Sequence, residues 1–204
     1  MYRRSKIYGV GINDWKEKCD TIVDGKKTCI KEYKLWRAML SRCYSEYTKQ
    51  QRPTYTGVTC QESWLSMTNF IEDVSKMIGY GKINDGWVLD KDILVKGNKH
   101  YSTDTCCFVP AEINGCLTVR SLHRGALPIG VTYNDKRKVN PYIARCGYDG
   151  KRVTIGYYST PEDAFEAYRN VKKKELKRLA DKYKGEIDER VYEALINYDF
   201  TKDD

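Results

Sequence analysis

Arg145 lies in Tyr142-Ile143-Ala144-Arg145-Cys146, a run of aromatic, β-branched and small residues that suits a strand. Around it stand Lys136, Arg137, Lys138, Lys151 and Arg152, with Arg120 and Arg124 upstream, and Tyr133, Tyr142 and Tyr157 interleaved. The chemistry these side chains offer is recognition of a polyanion. An arginine fork matches the guanine edge bidentately, while lysines and tyrosine hydroxyls suit phosphate oxygens. Residues 119–152 carry eight basic side chains against only Asp135 and Asp149. The alternative is a solvated basic sheet in a protein that binds something else.

The elements that must hold these residues are legible. Three β-rich runs, Ile129–Tyr133, Tyr142–Cys146 and Arg152–Tyr158, are joined by turns containing Asn134-Asp135 and Asp149-Gly150. They predict a three-stranded antiparallel meander, and a two- or three-stranded sheet can enter the major groove. A helix should follow, with Thr160 as cap, Pro161 at its first position and Glu162 and Asp163 at its positive end. Ala164, Ala167, Tyr168, Val171, Leu179 and Tyr183 give that helix an apolar face for one side of the sheet, leaving the other side free. Lys172-Lys173-Lys174 and Lys177-Arg178 read as a solvated helix end, and a last short helix is expected over 188–198.

Gly130-Val131, Tyr142 to Arg145, Gly150-Lys151-Arg152, Ile155-Gly156-Tyr157-Tyr158-Ser159-Thr160, and Glu162 to Ala164 with Ala167-Tyr168 resemble the AP2/ERF DNA-binding domain. The resemblance covers about 60 residues in order. It implies a sheet-in-groove mode of duplex binding. The tryptophans that plant members carry on their strands are missing here, so no target sequence follows from it.

Upstream the chain changes character. Leu35, Trp36, Met39, Leu40 and Cys43 form a helical stripe within 33–44, and Arg37 and Arg42 fall on its other face, where they read as solvated surface, with phosphate contact as the alternative. Pro53 to Gly57 interrupts it. Trp64, Leu65, Met67, Phe70, Ile71, Val74, Met77 and Ile78 predict a second amphipathic helix ending near Gly79. Residues 87–117 then read as strand (Trp87 to Leu94), a polar loop containing Gly97-Asn98, a second strand (Cys106 to Pro110), and the start of a helix.

Leu89-Asp90-Lys91-Asp92-Ile93-Leu94, Gly97-Asn98-Lys99 and Thr105 to Asn114 resemble the ββα-metal unit of HNH nucleases, in particular the phage homing type. By that resemblance Asp90 and Asn114 hold a divalent ion, magnesium or manganese, with Asp92 and Asn98 in support. Lys91 occupies the position of the general-base histidine. A free lysine has a pKa near 10.4 and keeps its proton at neutral pH, so His100 or Tyr101 would have to supply the base. The plainer reading is that Asp90, Lys91, Asn98 and Asn114 pin the loop through hydrogen bonds and ion pairs. The Gly9 to Asp14 opening and the Trp36 to Tyr44 helix extend the likeness to phage-encoded proteins that join such a unit to an AP2 domain.

Bulk properties fit this picture. The 204 residues carry 36 Lys and Arg against 28 Asp and Glu, a net charge of +8, which favours a polyanionic partner. Neither a signal-peptide core nor a membrane-length apolar run is visible, so a cytoplasmic protein is expected. Without an export signal the eight cysteines read as reduced thiols, mostly core. No Cys-x-x-Cys pair occurs, so structural zinc is not expected. The expected architecture is therefore α+β. An HNH-like region, 1–118, with N-terminal helices precedes an AP2-like domain, 119–204, with a helical extension. The partner would be double-stranded DNA, bound by a monomer or a homodimer. The expected activity is homing-type endonuclease; the competing readings are a DNA-binding regulator without catalysis and, third, a protein–protein interaction factor.

Overall fold

A computed structural model describes residues 6–118 and 127–202, so Arg120, Arg124 and His123 lie outside the described residues. The chain is mixed α+β and divides into two compact units, Met1–Pro110 with Glu186–Asp188, and Ala111–Gly185 with Glu189–Asp204.

The first unit opens on a hairpin, β1 (Asp20–Val23) against β2 (Lys26–Cys29). Its Asp24-Gly25 turn has φ of 50° and 73°, the left-handed pair that a two-residue hairpin loop requires. Helix α1 (Lys31–Tyr44) buries Trp36, Met39, Leu40 and Cys43. The Trp36 indole donates to the Trp64 carbonyl at 2.8 Å, which satisfies its polar edge inside the core. After the short α2 (Glu46–Gln51) and β3 (Thr59–Cys60), the second predicted helix is shorter than its apolar stripe. Glu62–Leu65 is a 3-10 turn, and α3 (Met67–Val74) begins only after Ser66, whose hydroxyl accepts from the Asn69 N–H. A serine with extended backbone at that point restarts the helix. Met77 and Ile78 therefore lie in turns beyond it.

Strand β4 (Trp87–Asp90) pairs antiparallel with β6 (Cys107–Pro110), and β5 (His100–Tyr101) pairs parallel with β3. The expected strand to Leu94 stops four residues early because the Asp90 side chain captures the next two backbone N–H groups, described below. Helix α4 (Ala111–Leu117) belongs to the second unit.

In the second unit β7 (Val131–Tyr133), β8 (Tyr142–Tyr148) and β9 (Lys151–Tyr158) form the antiparallel meander in that order. Helix α5 (Pro161–Lys182) packs on it, started by Thr160, whose hydroxyl accepts from the Asp163 N–H at 3.1 Å. Ile129, Val131, Ala144, Cys146, Ala164, Phe165 and Tyr168 form the core between them. Gly130 (φ +76°) lets the chain enter β7 against the Tyr168 ring, where a Cβ would come within 2.0 Å. Helix α6 (Glu189–Ile196) is followed by Phe200, 2% exposed, whose ring meets Tyr168 edge-on. Asp199 beside it is bridged by Arg169 and Lys173, at 2.7 Å from each. Those two cations hold its carboxyl at about 2. Among the described residues no helix is long and apolar enough to cross a membrane.

Candidate functional site

The first unit assembles a tightly bonded loop at the end of β4. The Asp90 Oδ1 accepts from the N–H of Asp92 at 2.7 Å and of Ile93 at 3.0 Å, which turns the chain sharply out of the strand. Burial pushes this carboxyl above the usual range, against the opposing pull of those N–H groups and of Lys91. Lys91 is 6% exposed, and its ammonium donates to Asp92 Oδ1 and to the Asn98 carbonyl, with the Tyr101 ring 5.9 Å away. The Asn98 carboxamide spans the loop. Its Nδ2 donates to the carbonyls of Lys91 (2.8 Å) and His100 (2.6 Å), and its Oδ1 accepts from the His100 N–H at 3.0 Å. Lys91, Asp92, Asn98 and His100 are thus one network.

Arg42 of α1 joins this region, although its place beside the helical stripe suggested a solvent-facing side chain. Its guanidinium donates to the Tyr101 hydroxyl at 3.0 Å and lies over the Tyr55 ring at 5.7 Å. Arg42 follows Met39 by three residues and so borders the buried stripe, the one sequence signal that could have turned it inward. Tyr101 is 2% exposed, and burial pushes its phenol above the ordinary value, so it holds its proton and accepts from Arg42. Thr59 is the second residue that sequence reasoning missed. Its hydroxyl lies 2.8 Å from His100 Nδ1 across the β3–β5 pairing and fixes the half-buried imidazole. Of the four candidate catalytic side chains, Lys91 and Asp92 are paired to each other and Tyr101 to Arg42. His100 alone keeps a partly exposed ring held through one nitrogen.

The chemistry a divalent ion would need is only partly present. Asp90 is a half-buried carboxylate at the strand end, but Lys91 and Arg42 already supply positive charge around it. Asn114, half-buried on α4, belongs to the other unit. Among the described residues no group of three or more His, Cys, Asp or Glu side chains converges as metal ligands.

The second unit presents the sheet. Residues paired directly across antiparallel strands share a face. The register Thr132–Ile143–Tyr157, Arg145–Thr154 and Gly147–Arg152 sets these side chains on one face. The opposite face carries Val131, Ala144 and Cys146 toward α5. The register shifts between Ala144 and Arg145, where Ile155 of β9 is the extra residue. That bulge brings Arg152 and Tyr157 to the same side, which plain alternation along β9 would separate. Arg137, from the β7–β8 turn, lies over the Tyr157 ring at 4.0 Å. Lys136 and Lys138 are exposed in the same turn.

Two tyrosines grouped with Arg145 in the sequence stand elsewhere. Tyr133 and Tyr142 pair across β7 and β8 with rings 5.2 Å apart, and Tyr142 packs against the core on the α5 side. Tyr142 is three residues from Arg145, and a period of two puts it on the other face. Lys151, exposed at the β8–β9 turn, pairs with Tyr148 and is also off the Arg145 face. The face turned away from α5 thus carries Arg145, Arg152, Thr132, Thr154 and the Arg137–Tyr157 pair. No family model matches this chain, and neither a curated protein nor a solved structure does.

Proposed function

We propose that this chain binds double-stranded DNA through the face of the β7–β9 sheet turned away from α5. The observation that supports it is the shared face of Arg145 and Arg152, with Arg137 stacked on Tyr157, on a sheet whose other side is filled by a helix. Arginine forks on a ribbon of this width suit base edges in the major groove, and Thr132 and Thr154 suit flanking phosphates. Each bidentate arginine contributes about 1–3 kcal/mol of discrimination. Arg145→Ala with Arg152→Ala in the full chain should therefore weaken binding to its duplex by at least about thirty-fold. Tyr133→Ala, on the other face, should leave it unchanged. Equal affinity for the double variant and the parent, read by fluorescence anisotropy on labelled duplexes, would sink the sheet as reader.

A second reading adds phosphodiester cleavage of the HNH-like homing type, and the His100–Thr59 pair favours it. With Nδ1–H donating to Thr59, Nε2 carries the lone pair of a general base, the role that Lys91, donating to two oxygens, cannot take. In that reading Asp90 helps to hold a magnesium or manganese ion. Supercoiled DNA incubated with either metal or with chelator tests it. Metal-dependent nicking that His100→Ala and Asp90→Asn lose supports an endonuclease; Asp90→Asn keeps the oxygen that accepts from Asp92 and Ile93. Binding without nicking by the parent chain would leave a DNA-binding regulator, in which the buried Lys91 pair marks a structural loop.

A further inference from the structure

Helix α1 carries a second cationic surface that the sheet and the loop leave unused. Its inner stripe is buried, and on the outer side Lys34 and Arg37 are both exposed, one turn apart. They share a groove with Tyr8, Cys29, Tyr33 and Ser41. The groove exists because Gly11 lies so close to α1 that a Cβ there would meet Leu40 at 2.3 Å, which brings the preceding turn and Tyr8 onto the helix. The Lys34 ammonium donates to the Thr28 hydroxyl at 2.6 Å, a neutral partner that leaves its charge uncompensated. Arg37 lies over the Tyr33 ring at 5.7 Å, with the planar fork held against an aromatic face. Among the described residues no carboxylate lines the groove, and Asp20, which accepts from the Cys29 thiol at 4.0 Å, is ion-paired to Lys27. The one acid of α1, Glu32, accepts from the Tyr80 hydroxyl instead.

We propose that this groove binds the phosphodiester backbone of DNA, as a sequence-independent contact of the first unit. Two cations beside tyrosine hydroxyls, with no acid among the described lining residues, match adjacent backbone phosphates, whose oxygens take charge-assisted hydrogen bonds from Lys and Arg. The inference shares its partner with the sheet reading but not its residues, so the two can fail separately.

The test uses the full chain and two double variants, Lys34→Gln with Arg37→Gln, and Arg145→Ala with Arg152→Ala. Duplexes of equal length and several unrelated sequences are titrated over a range of salt. Each phosphate contact contributes about −0.9 to the slope of log K against log salt. The α1 variant should flatten that slope by about 1–2 and weaken all the duplexes alike, roughly tenfold at low salt. Lys34→Arg with Arg37→Lys should restore it. Loss of binding in the α1 variant alone, with the sheet variant unaffected, supports this groove and removes the sheet. An unchanged slope and affinity in the α1 variant overturns the proposal. So does relief of tyrosine quenching by inorganic phosphate with no response to DNA, which would assign the groove to a free anion.

Discussion

Lys91→Met should destabilise the first unit by about 1–3 kcal/mol, the usual cost of leaving a buried polar contact without its partner. The substitution keeps the length of the side chain and its apolar stem but deletes the ammonium. The half-buried Asn98 carbonyl then loses a donor, and the Asp90 carboxyl, already pushed up by burial, loses an opposing positive charge. Asp92 is half exposed and can turn to water, so the penalty falls on Asp90 and the loop. Urea unfolding followed by tryptophan fluorescence reads this unit alone, since Trp15, Trp36, Trp64 and Trp87 all precede residue 110. A change below about 1 kcal/mol would mean that Lys91 is not a pin, and would reopen it as a residue with a solvent-facing task.

Gly130→Val should be at least as damaging to the second unit. The position needs φ +76°, which costs an L-residue about 1–2 kcal/mol. The new side chain would also meet the Tyr168 ring within 2.0 Å, and overpacking adds about 1–3 kcal/mol. Together these predict a loss of about 2–5 kcal/mol, a fall in melting temperature of roughly 10 °C or more for a unit of this size. Because the Arg145 N–H donates to the Gly130 carbonyl at 2.8 Å, duplex binding should fall with it. A variant that melts like the parent would show that Tyr168 can move aside and that the β7 entry is not constrained.

The second unit was the more readable half. Asp149-Gly150 and the Thr160-Pro161 cap act locally, through turn geometry and a first-turn hydrogen bond, and both stand where their residue types predict. The distribution of side chains between faces was less legible. Tyr142 could be set aside by counting residues, but the company of Arg152 and Tyr157 depends on the bulge at Ile155, whose one local signal is the neighbouring Gly156. In the first unit the stripe of α1 is plain, whereas the role of Arg42 depends on Tyr55 and Tyr101, residues remote in the chain. The early end of β4 had a local cause, since an aspartate able to cap its own following residues competes with the strand. The loop beyond it is shaped by Asn98 and Thr59, whose partners only the folded chain supplies.

The short parallel pair of β3 and β5 sets a time order. Thr59 and Cys60 meet His100 and Tyr101 across about forty residues of intervening chain, whereas β8 and β9 meet across a two-residue turn. Closing the longer loop costs entropy before any contact rewards it. The β8–β9 ribbon can zip on the microsecond scale of an isolated hairpin. The His100 loop must wait until α1 and β3 are docked. When the whole unfolded chain refolds, the β8–β9 ribbon can therefore form before the polar loop of the first unit is complete.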